Sequence, residues 1–273
     1  MISSHPQVMG ILNVTPDSFA DGGQFTEGRK VNIEAVLQAA AAMADEGVDW
    51  FDIGGESTRP GAEAVSEQEE IDRVAPVVTA LSARFDIPIS VDTSSAALIS
   101  MAEGCGARMI NDVRALQREG ALEAFVQTGL QVCLMHMQRQ PTDMQDKPEY
   151  VNVVEDVSGF LSDRMKQVVS AGVEADRICL DPGFGFGKTL AHNLDLLRGI
   201  SRIKALGAPI LVGFSRKSMI GTVTGRSVEH RLAGTIALNL LALEQGASIL
   251  RVHDVAAAVD TVKTWNAVQV QQR

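Results

Sequence analysis

The chain has 273 residues, 45% of them apolar and 21% charged, with a mean hydropathy of +0.07. That length is close to the roughly 250 residues of one (β/α)₈ barrel, and the composition can bury a sizeable core and excludes bulk disorder. Thirty-four acidic against 24 basic side chains leave a formal charge of -10, which repels nucleic acid and anionic membranes and obliges any anionic ligand to find a local cationic site.

Short apolar runs recur along the chain, each closed by a Gly, Asp, Asn or Ser cluster and followed by a longer stretch with apolar residues three and four apart. In order, the predicted strands are Val8 to Leu12, Trp50 to Ile53, Ile87 to Val91, Arg108 to Ile110, Gln131 to Met135, Arg177 to Leu180, Pro209 to Val212 and Ser248 to Val252. Between them, Val31 to Glu46, Ser66 to Arg84, Tyr150 to Ala171 and Glu229 to Gln245 are Ala-, Leu- and Glu-rich and read as crossover helices. Eight βα units without a linker or a shift in composition predict an α/β fold, a TIM (β/α)₈ barrel forming a single domain over 1–273; an open doubly wound sheet is the alternative. The longest non-helical pieces, Thr15 to Lys30 and Gly54 to Val65, follow the first two strands, where loops of that length usually serve as lids or binding loops.

In a barrel the residues just past each strand share one rim, and here every strand end carries a polar or ionisable group. Asn13 follows the first strand, and Gly54 to Gly61 with Thr58, Arg59 and Pro60 the second. Next come Asp92, Asn111-Asp112 and His136. The last three ends are Asp181 to Lys188, Ser215 to Ser218 and Arg251 to Asp254. Ordinary structural roles compete for several of them. Asp92 and Asp254 suit helix N-caps, Asn111-Asp112 suits a turn, and His136 between two methionines suits a packed core histidine. The run Gly183 to Thr189 misses a Walker A loop by one residue, because Pro182 stands where its first glycine belongs, and its G-x-G-x-G spacing also misses the dinucleotide pattern. It still lets backbone approach a ligand, with Phe184 and Phe186 as flat apolar faces.

The polar rim divides into an acidic and amide set (Asp92, Asn111, Asp181, with Lys217) and a cationic set (Asn13, Arg251, His253). Carboxylates and an amide suit a planar heterocycle with ring N–H donors, and the cationic set suits a phosphate or diphosphate. Arg251 and His253 are two apart, so their side chains project to one side. His5, His192 and His230 have no partner at zinc-ligand spacing. Cys105, Cys133 and Cys179 are far apart with no C-x-x-C pair, which fits a reducing compartment. The N-terminal MISSHPQV has neither a basic nor an apolar leader region, and no run reaches the roughly 18 apolar residues of a membrane span, so a soluble cytoplasmic protein is expected.

Several stretches in this order closely resemble the bacterial dihydropteroate synthases over nearly the whole length. They are Met9 to Phe19 with Asp21-Gly22-Gly23, Asp52 to Gly61, Ser90 to Thr93, Ile110 to Val113, Met135 to Gln138, Asp181 to Lys188, Gly213 to Ser218 and Arg251 to Val255. The resemblance implies a transferase of folate biosynthesis, a sulfonamide target, that uses Mg²⁺ and two small substrates, a pterin diphosphate and p-aminobenzoate. It further implies a pterin ring held by Asp92, Asn111, Asp181 and Lys217 with Met135 and Phe184. Asn13, Thr58, Arg251 and His253 would hold the diphosphate, with Asn13 also at the metal. Thr58, Arg59, Pro60, Phe19, Phe186, Lys217 and Ser218 would frame p-aminobenzoate, and Asp92, Lys217, Arg251, His253 and Asp17 would carry the chemistry. Family resemblance also suggests a homodimer, with Glu229 to Gln245 and Asp254 to Val268 Ala- and Leu-rich enough to serve a core or a partner. Arg139 departs from the pattern, since the family commonly places glycine there. A pterin-dependent methyltransferase barrel and a non-catalytic pterin-binding paralogue are the competing readings; the Glu56 to Gly61 loop and Ser215-Arg216-Lys217 argue against the first.

Overall fold

The eight barrel strands are short, mostly apolar runs, as expected where a parallel sheet is buried on both faces, and four of them close on a polar residue, Asn13, Asp92, Asp112 or Asp181. A computed structural model describes residues 5–15, 25–27, 30–57, 65–139, 144 and 147–270 of the chain. Its parallel strands are β1 (Gln7–Asn13), β4 (Trp50–Gly54), β5 (Ile89–Asp92), β6 (Met109–Asp112), β7 (Gln131–Met135), β8 (Ile178–Asp181), β9 (Leu211–Val212) and β10 (Ile249–Val252). They pair in the order β8-β7-β6-β5-β4-β1-β10-β9, and a bridge from Leu180 to Ile210 joins the two ends into a barrel. A two-stranded antiparallel ribbon, β2 (Thr26–Glu27) with β3 (Lys30–Val31), ends the loop after β1, which the sequence leaves without regular structure.

Helices α1 (Ile33–Glu46), α2 (Glu67–Arg84), α3 (Ala96–Cys105), α4 (Ala121–Val126), α5 (Val153–Ser170), α6 (Leu190–Arg198), α7 (Ile200–Lys204), α8 (Ser218–Thr224), α9 (Leu232–Glu244) and α10 (Val255–Val270) surround it. Their starts follow capping chemistry: Asn32, Ser66, Ser95, Asn152 and Thr189 each accept a backbone N–H of the first turn. The cap of α3 is therefore Ser95, which leaves the Asp92 carboxylate for other work.

Because side chains alternate across a strand, residue parity sorts the core. One parity (Val8, Leu12, Phe51, Ile53, Val91, Ile110, Leu134, Leu180, Leu250) packs outward in the large core cluster shared with the helices. The other parity forms a separate inner cluster of Met9, Trp50, Met109, Cys133, Cys179, Leu211 and Ile249. One pleat further along the same strands stand Asp52, Asn111, Met135, Asp181, Gly213 and Arg251. The barrel interior is thus a dry layer surmounted by a polar one.

No helix among the described residues is long and apolar enough to cross a membrane.

Candidate active site

The polar layer is organised by Arg251. Its Nε donates to Asp52 Oδ2 at 2.6 Å and its Nη2 to Asp92 Oδ2 at 2.9 Å, joining β10 to β4 and β5 across the barrel. Burial works against the guanidinium charge, but the facing Asp52 and Asp92 carboxylates outweigh it and hold the proton above the ordinary arginine range. Burial pushes the Asp92 carboxyl up, with Arg251 opposing and Asp52 adding to the rise. Asn111 reaches Asp52 Oδ2 from β6 at 3.4 Å. The other Asp52 oxygen is buried with no hydrogen-bond partner. The division expected from sequence is therefore redrawn: Arg251 belongs to the acidic floor as much as to a cationic end, because barrel closure puts it between two carboxylates. Asp52, quoted in the sequence only as part of a motif, is a floor residue; its parity with Trp50 was the signal that could have found it.

Neighbouring polar groups separate into floor and scaffold. Asp112 turns away and accepts the N–H groups of Arg114 at 2.8 Å and Leu116 at 2.7 Å and the Ser94 hydroxyl, so within Asn111-Asp112 the amide faces inward and the acid builds the turn. Arg114 meets Glu56 at 3.2 Å on the rim. Asp254 binds Arg216 with both oxygens, Nε donating at 3.0 Å. His253 is oriented by Ser215, whose hydroxyl lies 2.9 Å from Nδ1 and accepts the His253 backbone N–H at 3.1 Å. Asn13 ends β1 beside Gly54; a Cβ at Gly54 would lie 3.0 Å from Asn13 Oδ1 and 3.8 Å from Asp92 Oδ2, so glycine keeps a gap between two oxygen donors.

Opposite this, the turn after β8 carries a cationic wall. Asp181 accepts the Gly183 N–H at 2.7 Å, and burial raises its carboxyl while Lys217 opposes the rise. Gly183, Gly185 and Gly187 all take left-handed backbone angles, and a Cβ on Gly183 would sit 1.9 Å from the His136 carbonyl, which explains why glycine is needed. Asn193 on α6 braces the turn: its side-chain oxygen accepts the Gly185 N–H at 2.8 Å and its amide donates to Lys188 and Thr189 carbonyls. Lys217 donates to the Phe184 carbonyl and stands 4.8 Å from the centre of the Phe186 ring. Burial pushes its ammonium down to about 8, with Asp181 opposing and Arg251 adding to the fall.

Phe184 corrects an expectation. Its ring is fully buried against Phe214, with centroids 4.4 Å apart, so it offers the site its carbonyl and not an apolar face. The strand-turn geometry that delivers Asp181 inward turns the next aromatic into the outer core. Met135, by contrast, lines a cavity of about 330 Å³ with Glu56, Val113, Arg114, Met137 and Arg139. Ser218 is exposed at the start of α8. Asp17, Phe19, Thr58, Arg59 and Pro60 lie outside the described residues.

A pterin binding enzyme family model matches residues 9–253 of the chain. Dihydropteroate synthase of Haemophilus influenzae is 50% identical over 264 residues, which is 97% of this chain and 94% of that protein. The structure is similar to Yersinia pestis dihydropteroate synthase in a sulfonamide drug complex, with TM-score 0.94 and 50% identity over 98% of this chain and 95% of that one. It is also similar to the Xanthomonas albilineans enzyme in complex with 7,8-dihydropteroate, with TM-score 0.84 and 42% identity over 97% and 94% of the two chains. The fold and floor define a pterin-binding barrel enzyme, and the chain belongs to the pterin binding enzyme family. Within that family it belongs to the dihydropteroate synthases, which are transferases.

Proposed function

We propose that the chain joins 6-hydroxymethyl-7,8-dihydropterin diphosphate to p-aminobenzoate, releasing 7,8-dihydropteroate and pyrophosphate. The observation that carries this reading is the inward-facing layer in which one guanidinium pairs with Asp52 and Asp92, Asn111 bonds Asp52, and Asp181 and Lys217 add opposite charges close by. Carboxylates and an amide on a dry floor suit the ring N–H and amino groups of a pterin, which can dock in pairs on an acid. In this reading Asp92, Asn111, Asp181, Lys217 and Met135 hold the ring, and Asn13, Arg251 and His253 face the diphosphate. Phe186, Lys217 and Ser218 border the p-aminobenzoate side. Thr58, Arg59 and Pro60 on the second loop, and Asp17 and Phe19 on the first, complete that side by sequence position alone; Thr58 also serves the diphosphate.

Mg²⁺ fits the oxygen donors available. Asn13 Oδ1 borders the gap over Gly54, and among the described residues no group of three His, Cys, Asp or Glu gathers as a protein cage, so the ion would take its other oxygens from diphosphate and water. When bound there it supplies positive charge to the departing diphosphate.

The substitution proposed is largely dissociative at the pterin methylene. The C–O bond breaks with its electron pair leaving on diphosphate, the electron-rich dihydropterin spreads the resulting cation, the arylamine nitrogen forms the C–N bond, and the surplus amine proton passes to solvent. No strong general base is required. Arg251 and His253 stabilise the leaving charge, while Asp92, and Asp17 from the first loop, favour the developing cation. Sulfonamides, which mimic p-aminobenzoate, are expected to inhibit; undiminished turnover at saturating sulfonamide would refute that part. We further propose a cytoplasmic homodimer built from one domain over 1–273, supported by Leu232, Leu240 and Leu241, which are exposed on the largely apolar α9.

The test is product formation by purified protein with Mg²⁺ and pterin diphosphate, with and without p-aminobenzoate. Dihydropteroate and pyrophosphate formed together only when both substrates are present is the expected result. Pterin binding without either product would move the non-catalytic reading to first place.

A further inference from the structure

Lys188 is the most deeply buried lysine on the rim, with 3% of its surface exposed, and none of the roles above uses it. Burial lowers its pKa to about 7, Asp181 opposing and Lys217 adding to the fall, and in its ammonium form it has three N–H donors. They are matched by the Gly183 carbonyl at 2.9 Å, the Phe186 carbonyl at 3.0 Å and His136 Nδ1 at 3.0 Å, with the His136 carbonyl further off at 3.4 Å. Two of these acceptors belong to the turn after β8 and the third to the segment after β7, so one buried cation ties two neighbouring loops together. For Nδ1 to accept, the imidazole must be neutral. Burial and the Lys188 charge push its pKa down to about 3, and Phe160 meets its ring edge-on with centroids 5.0 Å apart. A second tie runs alongside: the Tyr150 hydroxyl donates to the Gly187 carbonyl at 2.8 Å.

What this turn presents to the site is Lys217's seat. The Phe184 carbonyl accepts from the Lys217 ammonium, the Phe186 ring lies beneath it, and a Cβ on Gly185 would come within 3.3 Å of Lys217 Cδ. A shift of the turn therefore moves Phe186, on the p-aminobenzoate side, and Lys217, which serves both substrates, while Asn13, Arg251 and His253 stand on or just past other strands, Arg251 held by Asp52 and Asp92 and His253 by Ser215. We infer that the Lys188–His136 pair is a positioning device that seats Lys217 and Phe186 through the Gly183–Gly187 turn, and so sets arylamine and pterin-ring binding and not the grip on the diphosphate. The functional half of this inference rests on the reaction proposed above.

The experiment compares His136→Leu, which removes the acceptor, with His136→Asn, whose side-chain oxygen stands near the Nδ1 position, and adds Lys188→Met. His136→Leu is expected to raise KM for p-aminobenzoate about 10-fold or more, since displacements near 1 Å cost up to about 100-fold, and to raise KM for pterin diphosphate through Lys217, while inhibition by inorganic pyrophosphate, which reads the diphosphate contacts alone, changes by less than about threefold. His136→Asn should restore the parent values. Lys188→Met should repeat the His136→Leu pattern; if it fails to fold, the two histidine variants decide, because in them Lys188 keeps both turn carbonyls. Unchanged constants in His136→Leu, an equal loss of pyrophosphate inhibition, or an Asn variant as impaired as the Leu variant would each overturn the inference. Amide exchange of Gly183 to Gly187 gives a readout independent of turnover. It should quicken in His136→Leu and not in His136→Asn, and equal exchange in the two sinks the device even if the reaction proposed for the chain is itself wrong.

Discussion

Two layers of the barrel interior are built from the same strands one pleat apart. Trp50 and Asp52, Met109 and Asn111, Cys133 and Met135, Cys179 and Asp181, and Ile249 and Arg251 are each pairs at i and i+2. The lower members make a dry cluster sealed from solvent, and most of the upper ones make a network of charges and amides. A step of roughly 7 Å along a strand converts a layer whose substitution costs stability into one whose substitution costs chemistry. The comparison also explains why the upper layer tolerates buried charge: the carboxylates and the guanidinium are paired across the barrel, while the layer beneath supplies the packing that holds the strands in register.

The largest effect should come from Arg251→Ala. Removing the one guanidinium that faces both Asp52 and Asp92 is expected to lower kcat/KM by about 10³-fold, in the range for loss of a group that stabilises developing negative charge. Steady-state pyrophosphate release checks this; because Arg251 also pairs with Asp92, binding of a pterin lacking the diphosphate should weaken too, but by less, and equal loss of both would contradict a separate leaving-group role. The substitution also leaves two carboxylates facing each other without a cation, which should cost about 3 kcal/mol in denaturant titration. Adding Asp52→Asn should recover stability and not turnover, and that split separates charge balance from chemistry.

A second effect is pH dependence, in which the two consequences of one group have opposite signs. Burial pushes Lys217 down to about 8 from an ordinary 10.5. Between those values the folded protein holds fewer protons than the unfolded chain, so this group's contribution to stability improves as pH rises through the window. The ammonium on the Phe184 carbonyl is lost over the same range. kcat/KM should therefore fall above about pH 8 while the denaturation midpoint, corrected for other groups, does not fall with it. An alkaline limb unchanged in Lys217→Gln would assign the titration to another residue.

For the lower layer, Leu211→Ala should cost about 2–5 kcal/mol, measured by denaturant or thermal unfolding, with kcat retained at temperatures where the variant stays folded. Loss of kcat at full folding would mean that the two layers are not separable.

How much of this was visible in the sequence follows from the range of each interaction. The eight strands were legible because parallel strands buried on both faces leave continuous apolar runs, and their ends shifted by only a residue or two: Ile87 to Val91 became Ile89–Asp92 and Pro209 to Val212 became Leu211–Val212. Asp92, Asn111, Asp181 and Arg251 were legible as polar residues closing such runs. The pairing of Arg251 with Asp52 was not, since the two are 199 residues apart and meet only when the barrel closes. Phe184 was misjudged because glycine spacing says that a turn is tight and not which way its aromatic points. Lys188 looked like the tail of a failed phosphate motif, and its burial depends on a histidine 52 residues earlier.

The smallest predicted effect tests where the upper layer ends. Arg139 stands at φ +63°, in the left-handed region that favours glycine, on the margin of the cavity beside Met135. A side chain there costs about 1–2 kcal/mol of backbone strain. Arg139→Gly removes that strain but gives the unfolded chain more freedom, an opposing loss of about 0.5–1 kcal/mol. The net gain should be below about 1 kcal/mol, detectable as a small rise in denaturation midpoint. Arg139 is exposed and outside the Arg251 network, so kcat and both KM values should stay at the parent level. A tenfold rise in either KM would place the guanidinium in contact with a substrate and extend the chemical layer beyond the strand ends onto the segment after β7. The left-handed angle would then be strain retained for binding.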